Sequence, residues 1–203
     1  MSFYVLDYGI GNLTSVLSAL SEVNIDFRLH DRGGIPSNAK GLIIPGVARY
    51  KSGIENLQCR GFYDQIIEFN ERRLPLLGFC LGAQMLGMSS DEDFGIKGLS
   101  LVNFSCKQLD NTISRVPYQG WQTISNIIDD FNTNDKYFYF SHKFEMIFNN
   151  HDLPQKSNVY LTKTNKVGMF VQENIIGVQF HPEKSGENGL TLLTKIFEYY
   201  STI

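Results

Sequence analysis

Up to Gly95, short apolar runs alternate with stretches in which apolar residues recur every third or fourth position. Phe3-Tyr4-Val5-Leu6 reads as a buried strand that ends in Asp7-Tyr8-Gly9-Ile10-Gly11-Asn12. Asn12 is a fair N-cap, because Leu13, Val16, Leu17 and Leu20 follow it at helical spacing. Ile25 to Leu29 reads as a second strand, and Leu42-Ile43-Ile44 as a third, stopped by Pro45-Gly46. Helical pattern returns from Tyr63 to Phe69; a strand then leads into Cys80 and a helix leaves it. This alternation predicts an α/β fold, a mostly parallel, flavodoxin-like sheet flanked by helices.

After Gly95 the texture changes. Leu99 to Phe104, Thr112 to Val116, Tyr137 to Phe140, Val159 to Lys163 and Val167 to Val171 are short β-like runs between polar turns. They predict additional antiparallel strands in the second half. Ile175 to Phe180 is a last strong strand, and a closing helix carries Leu190, Leu193, Ile196 and Phe197 on one face. With no repeat, low-complexity segment or linker, residues 1–203 are expected to form a single domain.

Ligands of open α/β sheets bind beyond the carboxyl ends of the strands. Four such places stand out: Gly9-Gly11, Pro45-Ala48, Cys80 and whatever follows Phe180. Gly78-Phe79-Cys80-Leu81-Gly82 has the shape of a nucleophile elbow with Cys in the place of Ser. Such a turn needs small neighbours, and it sets the sulfur at a helix N-terminus, where the dipole favours thiolate. After Phe180 comes His181-Pro182-Glu183. Proline biases His181 towards extended backbone, where residues two apart share a side. Glu183 then holds one imidazole nitrogen while the other takes the proton from Cys80, the logic of a nucleophile, a base and an orienter. Alone, a cysteine in apolar surroundings reads as a core residue, and a histidine at a strand end as a structural one. Both together, each in a tight local pattern, read as a site. Pro45-Gly46-Val47-Ala48 offers a backbone N–H for an oxyanion, with the N–H of Leu81 beside it.

Other motifs carry less. Gly9-Ile10-Gly11 has Thr14 where a dinucleotide fingerprint has its third glycine, so no nucleotide site is expected. Trp121, the single Trp, is by default a core-packing residue, though the turn-like residues Val116 to Gly120 before it suggest a surface loop and with it contact with a partner. Tyr137 to His142 suggests the centre of a packed sheet. A net charge of -3 leaves no footprint for nucleic acid. No apolar run approaches the roughly 18 residues of a membrane span. The Met1 end lacks a secretory pattern, and three scattered cysteines make no disulfide framework. A cytoplasmic protein is expected.

Together the Cys80 elbow and His181-Pro182-Glu183 resemble the class I (triad) glutamine amidotransferases. More narrowly, the chain resembles the glutaminase subunits of imidazole glycerol phosphate synthase. That likeness rests on Asp7 to Leu13, Pro45-Gly46-Val47, the elbow, Gly120-Trp121, Tyr137 to Phe140 with His142, and His181 to Gly186. It implies that Cys80, His181 and Glu183 hydrolyse glutamine through a γ-glutamyl thioester. Gly46, Gln84, Glu92 and the backbone around His142 and Lys143 would hold the substrate. Leu81 and, after a peptide flip, Val47 would form the oxyanion hole. Asn12, Trp121, Tyr139 and Lys184 would face a partner, a (βα)8-barrel cyclase that receives ammonia through an internal channel. Neither metal nor organic cofactor is implied.

Three residues depart from the pattern: Ala48 replaces a glycine, Tyr118 a histidine and Gln122 an asparagine, the last two in a loop placed beside the partner surface. They keep open a paralogous glutaminase that feeds a sugar-aminating enzyme of surface-polysaccharide synthesis, and, more remotely, a non-catalytic regulatory subunit. In water free ammonia becomes ammonium, a poor nucleophile, so an acceptor protein is expected in either glutaminase case.

Overall fold

The computed structural model describes residues 2–32, 34–112, 115–125, 131, 136–149 and 157–203. The first half runs β1 (Phe3–Leu6), α1 (Leu13–Glu22), β2 (Phe27–His30), β3 (Gly41–Ile44), α2 (Tyr50–Cys59), α3 (Tyr63–Glu71), β4 (Leu76–Phe79) and α4 (Leu81–Met85). The second runs β5 (Ser89–Ser90), β6 (Phe104–Gln108), β7 (Tyr118–Ser125), β8 (Tyr137–His142), β9 (Phe144–Phe148), β10 (Ser157–Thr162), β11 (Val167–Gln172) and β12 (Ile175–Val178). A 3₁₀ turn (Pro182–Lys184) and α5 (Gly186–Tyr200) close the chain.

The main sheet is ordered β2-β1-β3-β4-β12-β11-β10-β7-β8. Parallel pairing holds from β2 to β12, and antiparallel pairing continues from β12 to β8. This is the expected α/β sheet, its parallel half flanked by helices. β5, β6 and β9 form a small second sheet. β1, β3, β4 and β12 are buried at every position, as strands covered on both faces must be.

Neighbouring residues of a strand point to opposite faces. Leu6, Ile44 and Leu76 accordingly pack with Ile54, Leu57 and Ile66 under α2 and α3. Val5, Ile43 and Leu77 pack with Val16, Leu20, Leu193 and Ile196 under α1 and α5. Phe180 joins this second layer to the antiparallel half, its ring 4.4 Å from Phe138 and 5.4 Å from Phe140.

Several expectations are corrected. Leu99 to Val102 make no strand: their N–H groups bond the carbonyls of Met85, Leu86 and Gly87, folding the segment over the end of α4. The strand starts only at Phe104. Of Thr112 to Val116, residues 113 and 114 lie outside the described residues and the others are not in a strand. Trp121 sits within β7, paired with Tyr139, and not in a loop. α2 was not expected; it carries Tyr50, Ile54 and Leu57 at helical spacing, but its start is capped from elsewhere: Tyr50 N–H bonds Glu92 Oε2 at 2.8 Å and Lys51 N–H bonds Asp93 Oδ2 at 3.0 Å. Asn12 makes no side-chain cap on α1, since its Nδ2 donates instead to Ser15 Oγ at 2.8 Å.

Phe180→Ala should lower unfolding stability by about 4 kcal/mol, the usual cost of emptying a buried Phe site. Urea denaturation measures it; a loss under about 1 kcal/mol would show that Phe180 does not tie the two halves together.

Candidate active site

β4 ends at Cys80 and α4 leaves it, so this residue must turn the chain in one step. Its backbone adopts φ 49° and ψ -107°, outside the regions open to ordinary L residues. The N–H of Cys80 donates to Val178 C=O at 2.8 Å, and its C=O accepts from Gln84 N–H at 3.0 Å. A Cβ on Gly82 would lie 1.7 Å from the carbonyl oxygen of Ile44, and one on Gly78 would lie 2.7 Å from the backbone of Ala83. Only glycine lets α4 descend so close to β3.

α4 spans only Leu81–Met85, so its dipole is smaller than the sequence suggested. The sulfur is surrounded by discrete groups instead. Gln179 Nε2 donates to Sγ at 3.8 Å, Sγ lies 3.9 Å from Ser141 C=O, and the His181 imidazole stands beside it on the cavity wall.

His181 has φ -104° and ψ 94°, the extended backbone its following proline favours. Its Nδ1 meets Glu183 Oε1 at 2.8 Å, with both side chains almost wholly buried. Glu183, however, lies in the 3₁₀ turn. The pair forms across a tight turn, and the same-side argument for extended chain does not explain it. Ser185 Oγ fixes this turn, donating to His181 C=O at 2.6 Å and accepting from Tyr139 N–H at 3.0 Å. Burial opposes charge on His181, but Cys80 and Glu183 outweigh it through hydrogen bonds and charge, and its pKa is pushed up to about 10. For His142 burial dominates and pulls the pKa down to about 4, against a bond to Phe144 C=O and with the charges of His181 and Lys166 helping.

A cavity of about 410 Å³ opens over Cys80. Val47, Leu81, Gln84, Glu92, His142, Lys143, His181 and Lys184 all line it; Glu183 lies behind His181, and Gly46 beside Leu81. Gly46 is enclosed, since a Cβ there would meet Tyr8 Oη at 2.8 Å and Leu81 Cβ at 2.9 Å. Leu81 N–H bonds Gly46 C=O at 3.3 Å, so that donor is occupied in this conformation. Ala48 has no positive φ here. Gln84 spends its amide protons on Phe144 C=O at 2.9 Å and Gln179 Oε1 at 3.0 Å. Glu92 is both a cavity wall and the cap of α2.

Trp121 is half exposed and packs edge-on to Tyr139 at 5.7 Å, whose ring lies 6.5 Å from that of His181. Lys184 is exposed at the cavity wall, and Asn12 is exposed before α1. Tyr118 and Gln122 are not on this face. Alternation along β7 turns them the other way: Tyr118 packs against Phe140 and His142, Gln122 accepts from Thr164 Oγ1 at 3.0 Å, and both line a smaller cavity under the ribbon.

The sequence matches the family model for Glutamine amidotransferase class-I over residues 4–198. The chain belongs to this family. The amidotransferase is 34% identical over 203 residues to "Imidazole glycerol phosphate synthase subunit HisH" of Moorella thermoacetica, covering 96% of this chain and 93% of that protein. It is 32% identical over 197 residues to "Imidazole glycerol phosphate synthase hisHF, chloroplastic" of Arabidopsis thaliana, covering 94% of this chain and 33% of the longer relative. A crystal structure described as a glutamine amidotransferase superposes with a TM-score of 0.79 at 17% identity, covering 99% of this chain and all of that one. A putative GMP synthase subunit from Thermoplasma acidophilum superposes at 0.70 with 20% identity, covering 100% of this chain and 94% of that one. Both support the fold. Among the described residues no helix of the amidotransferase is long and apolar enough to cross a membrane.

Sequence reasoning missed Arg49, Gln119 and Ser141 on the cavity wall, and Gln179 and Tyr8 behind it. Gln179 had a signal: one polar residue closing an apolar strand, two before His181 and so in phase with it. Tyr8, whose hydroxyl donates to Pro45 C=O, had none.

The raised His181 pKa makes a signed prediction. Stability drawn from this charge is complete below the ordinary value of 6.5 and is lost as pH rises through about 10. NMR of histidine-labelled protein should show His181 protonated at neutral pH, with a lower midpoint in Glu183→Gln. An unshifted midpoint in that variant would disprove the coupling.

Proposed function

We propose that this chain is the glutaminase subunit of an imidazole glycerol phosphate synthase, hydrolysing glutamine with a Cys80-His181-Glu183 triad and passing ammonia to a cyclase partner. The observation that carries the chemistry is the buried His181–Glu183 pair, with His181 and Cys80 lining the same cavity. The pathway rests on similarity over nearly the whole chain to synthase subunits, and the partner on the Arabidopsis relative, whose name joins HisH to a further part.

In the proposed reaction Cys80 Sγ attacks the side-chain amide carbon of glutamine, its proton having passed to His181. The imidazolium, held by Glu183, then protonates the leaving amine, and neutral His181 next activates water against the thioester. Glu92, Lys143 and Lys184 supply charges of both signs around the cavity for the substrate's ammonium and carboxylate. Gly46, Gln84 and the backbone near His142 shape the remainder. Rotating the Gly46–Val47 peptide removes a carbonyl from Leu81 N–H and aims Val47 N–H at the same point, which forms the oxyanion hole. The exposed face with Trp121, Tyr139, Asn12 and Lys184 takes the cyclase. We take residues 1–203 as one amidotransferase domain. Free Cys59, Cys80 and Cys106 suit a reducing compartment such as the cytoplasm.

Cys80→Ala should abolish the glutamine-dependent thioester trapped by acid quench and mass spectrometry; its persistence would disprove the mechanism. Because one oxyanion donor is occupied in the chain alone, adding a synthase cyclase subunit should raise glutaminase turnover by about 10²-fold or more. Equal turnover with and without cyclase would overturn that, and failure to form the imidazole product from glutamine in the mixture would sink the synthase assignment.

A further inference from the structure

Gln179 is fully buried and does not line the cavity, yet it touches the reacting atom. Its own N–H is fixed to Gly168 C=O at 2.9 Å, which continues the strand pairing past β12 and locks the side chain's direction. The amide then has two uses. Oε1 accepts from Gln84 Nε2 at 3.0 Å, and Nε2 donates to Cys80 Sγ at 3.8 Å. Gln84 Nε2 also donates to Phe144 C=O at 2.9 Å. An unbroken line of hydrogen bonds thus runs from the β9 wall of the cavity through Gln84 and Gln179 to the sulfur. Because Gln84 Nε2 can only donate, it fixes which end of the Gln179 amide is oxygen, and so fixes an N–H towards Sγ.

We propose that Gln179 is a positioning residue for the nucleophile, holding the Cys80 sulfur in attacking orientation and favouring its thiolate by a directed N–H. This rests on Cys80 being the nucleophile. The other groups facing the sulfur divide. Ser141 C=O favours the thiol, His181 with Glu183 behind it favours the thiolate, and the neutral Tyr8 phenol and Cys106 thiol, kept protonated by burial, stand nearby. Of these, only Gln179 gives the sulfur a donor that does not itself titrate. An N–H bound to an anion is stronger than the same bond to a neutral group, so its loss weighs on the thiolate.

The test is the pH dependence of Cys80 alkylation by iodoacetamide, read by mass spectrometry of the Cys80 peptide with exposed Cys59 as internal reference. It needs neither glutamine nor partner. Gln179→Met keeps the length and removes both bonds; the alkylation midpoint should rise by about one pH unit, slowing Cys80 labelling about tenfold at pH values below the wild-type midpoint while Cys59 is unaffected. Gln179→Glu keeps an acceptor for Gln84 but sets an oxygen against the sulfur, so its midpoint should rise at least as far, and it decides the matter if the Met variant does not fold. Midpoints within a few tenths of wild type in folded variants would overturn the proposal and leave Gln179 a packing residue. Should the wild-type Cys80 midpoint lie no lower than that of Cys59, the nucleophile assignment fails and this proposal with it.

Discussion

The site depends on one strained residue. Cys80 turns from β4 into α4 with φ 49° and ψ -107°, a conformation that costs a non-glycine residue roughly 1–3 kcal/mol. It persists because everything around it is over-determined. β4 is hydrogen-bonded on both sides, to β3 and to β12, so the entry to the turn cannot move. Gly82 rests against the carbonyl of Ile44, so the exit cannot move either. The same contact brings Leu81 N–H to the Gly46 carbonyl and sets the sulfur where His181 and Gln179 reach it.

The β7–β8 ribbon separates two environments. Gln119, Trp121, Tyr139 and Ser141 share one face, at the cavity and on the exposed side beyond it. Tyr118, Gln122, Phe140 and His142 share the other, over a small cavity that Thr162, Thr164 and Lys166 close. His142 belongs to both spaces, since it lines the large cavity as well. Changes at positions 118 and 122 therefore act from beneath the ribbon, through packing. They do not alter the exposed aromatic face directly, which weakens them as arguments about partner choice.

How much of this was legible in the sequence divides along one physical line. Local signals survived. The buried strands β1, β3 and β4, the elbow glycines, and His181-Pro182-Glu183 were all readable because each is set by residues next to one another. What failed was set at a distance. α2 has apolar positions at Tyr50, Ile54 and Leu57, but its cap comes from Glu92 and Asp93, and no window along the chain contains both. Leu99 to Val102 look like a strand because they are apolar; their hydrogen bonds go instead to the end of α4. Trp121 follows turn-like residues, yet pairing with Tyr139 draws it into a strand. The Glu183 contact was anticipated for a reason that does not hold, since a 3₁₀ turn makes it.

Glu92 unites two of these features. One of its oxygens terminates α2 through Tyr50 N–H, and the same side chain forms part of the cavity wall. A ligand that draws on this carboxylate competes with, or reinforces, the hydrogen bond that keeps the first turn of α2 wound. By linkage the influence is reciprocal: the order of a helix end and the occupancy of the cavity become two readings of one equilibrium. Gly53 of that helix lies against Met85 at the end of α4, so the far side of the elbow belongs to the same mechanical unit as the cavity wall.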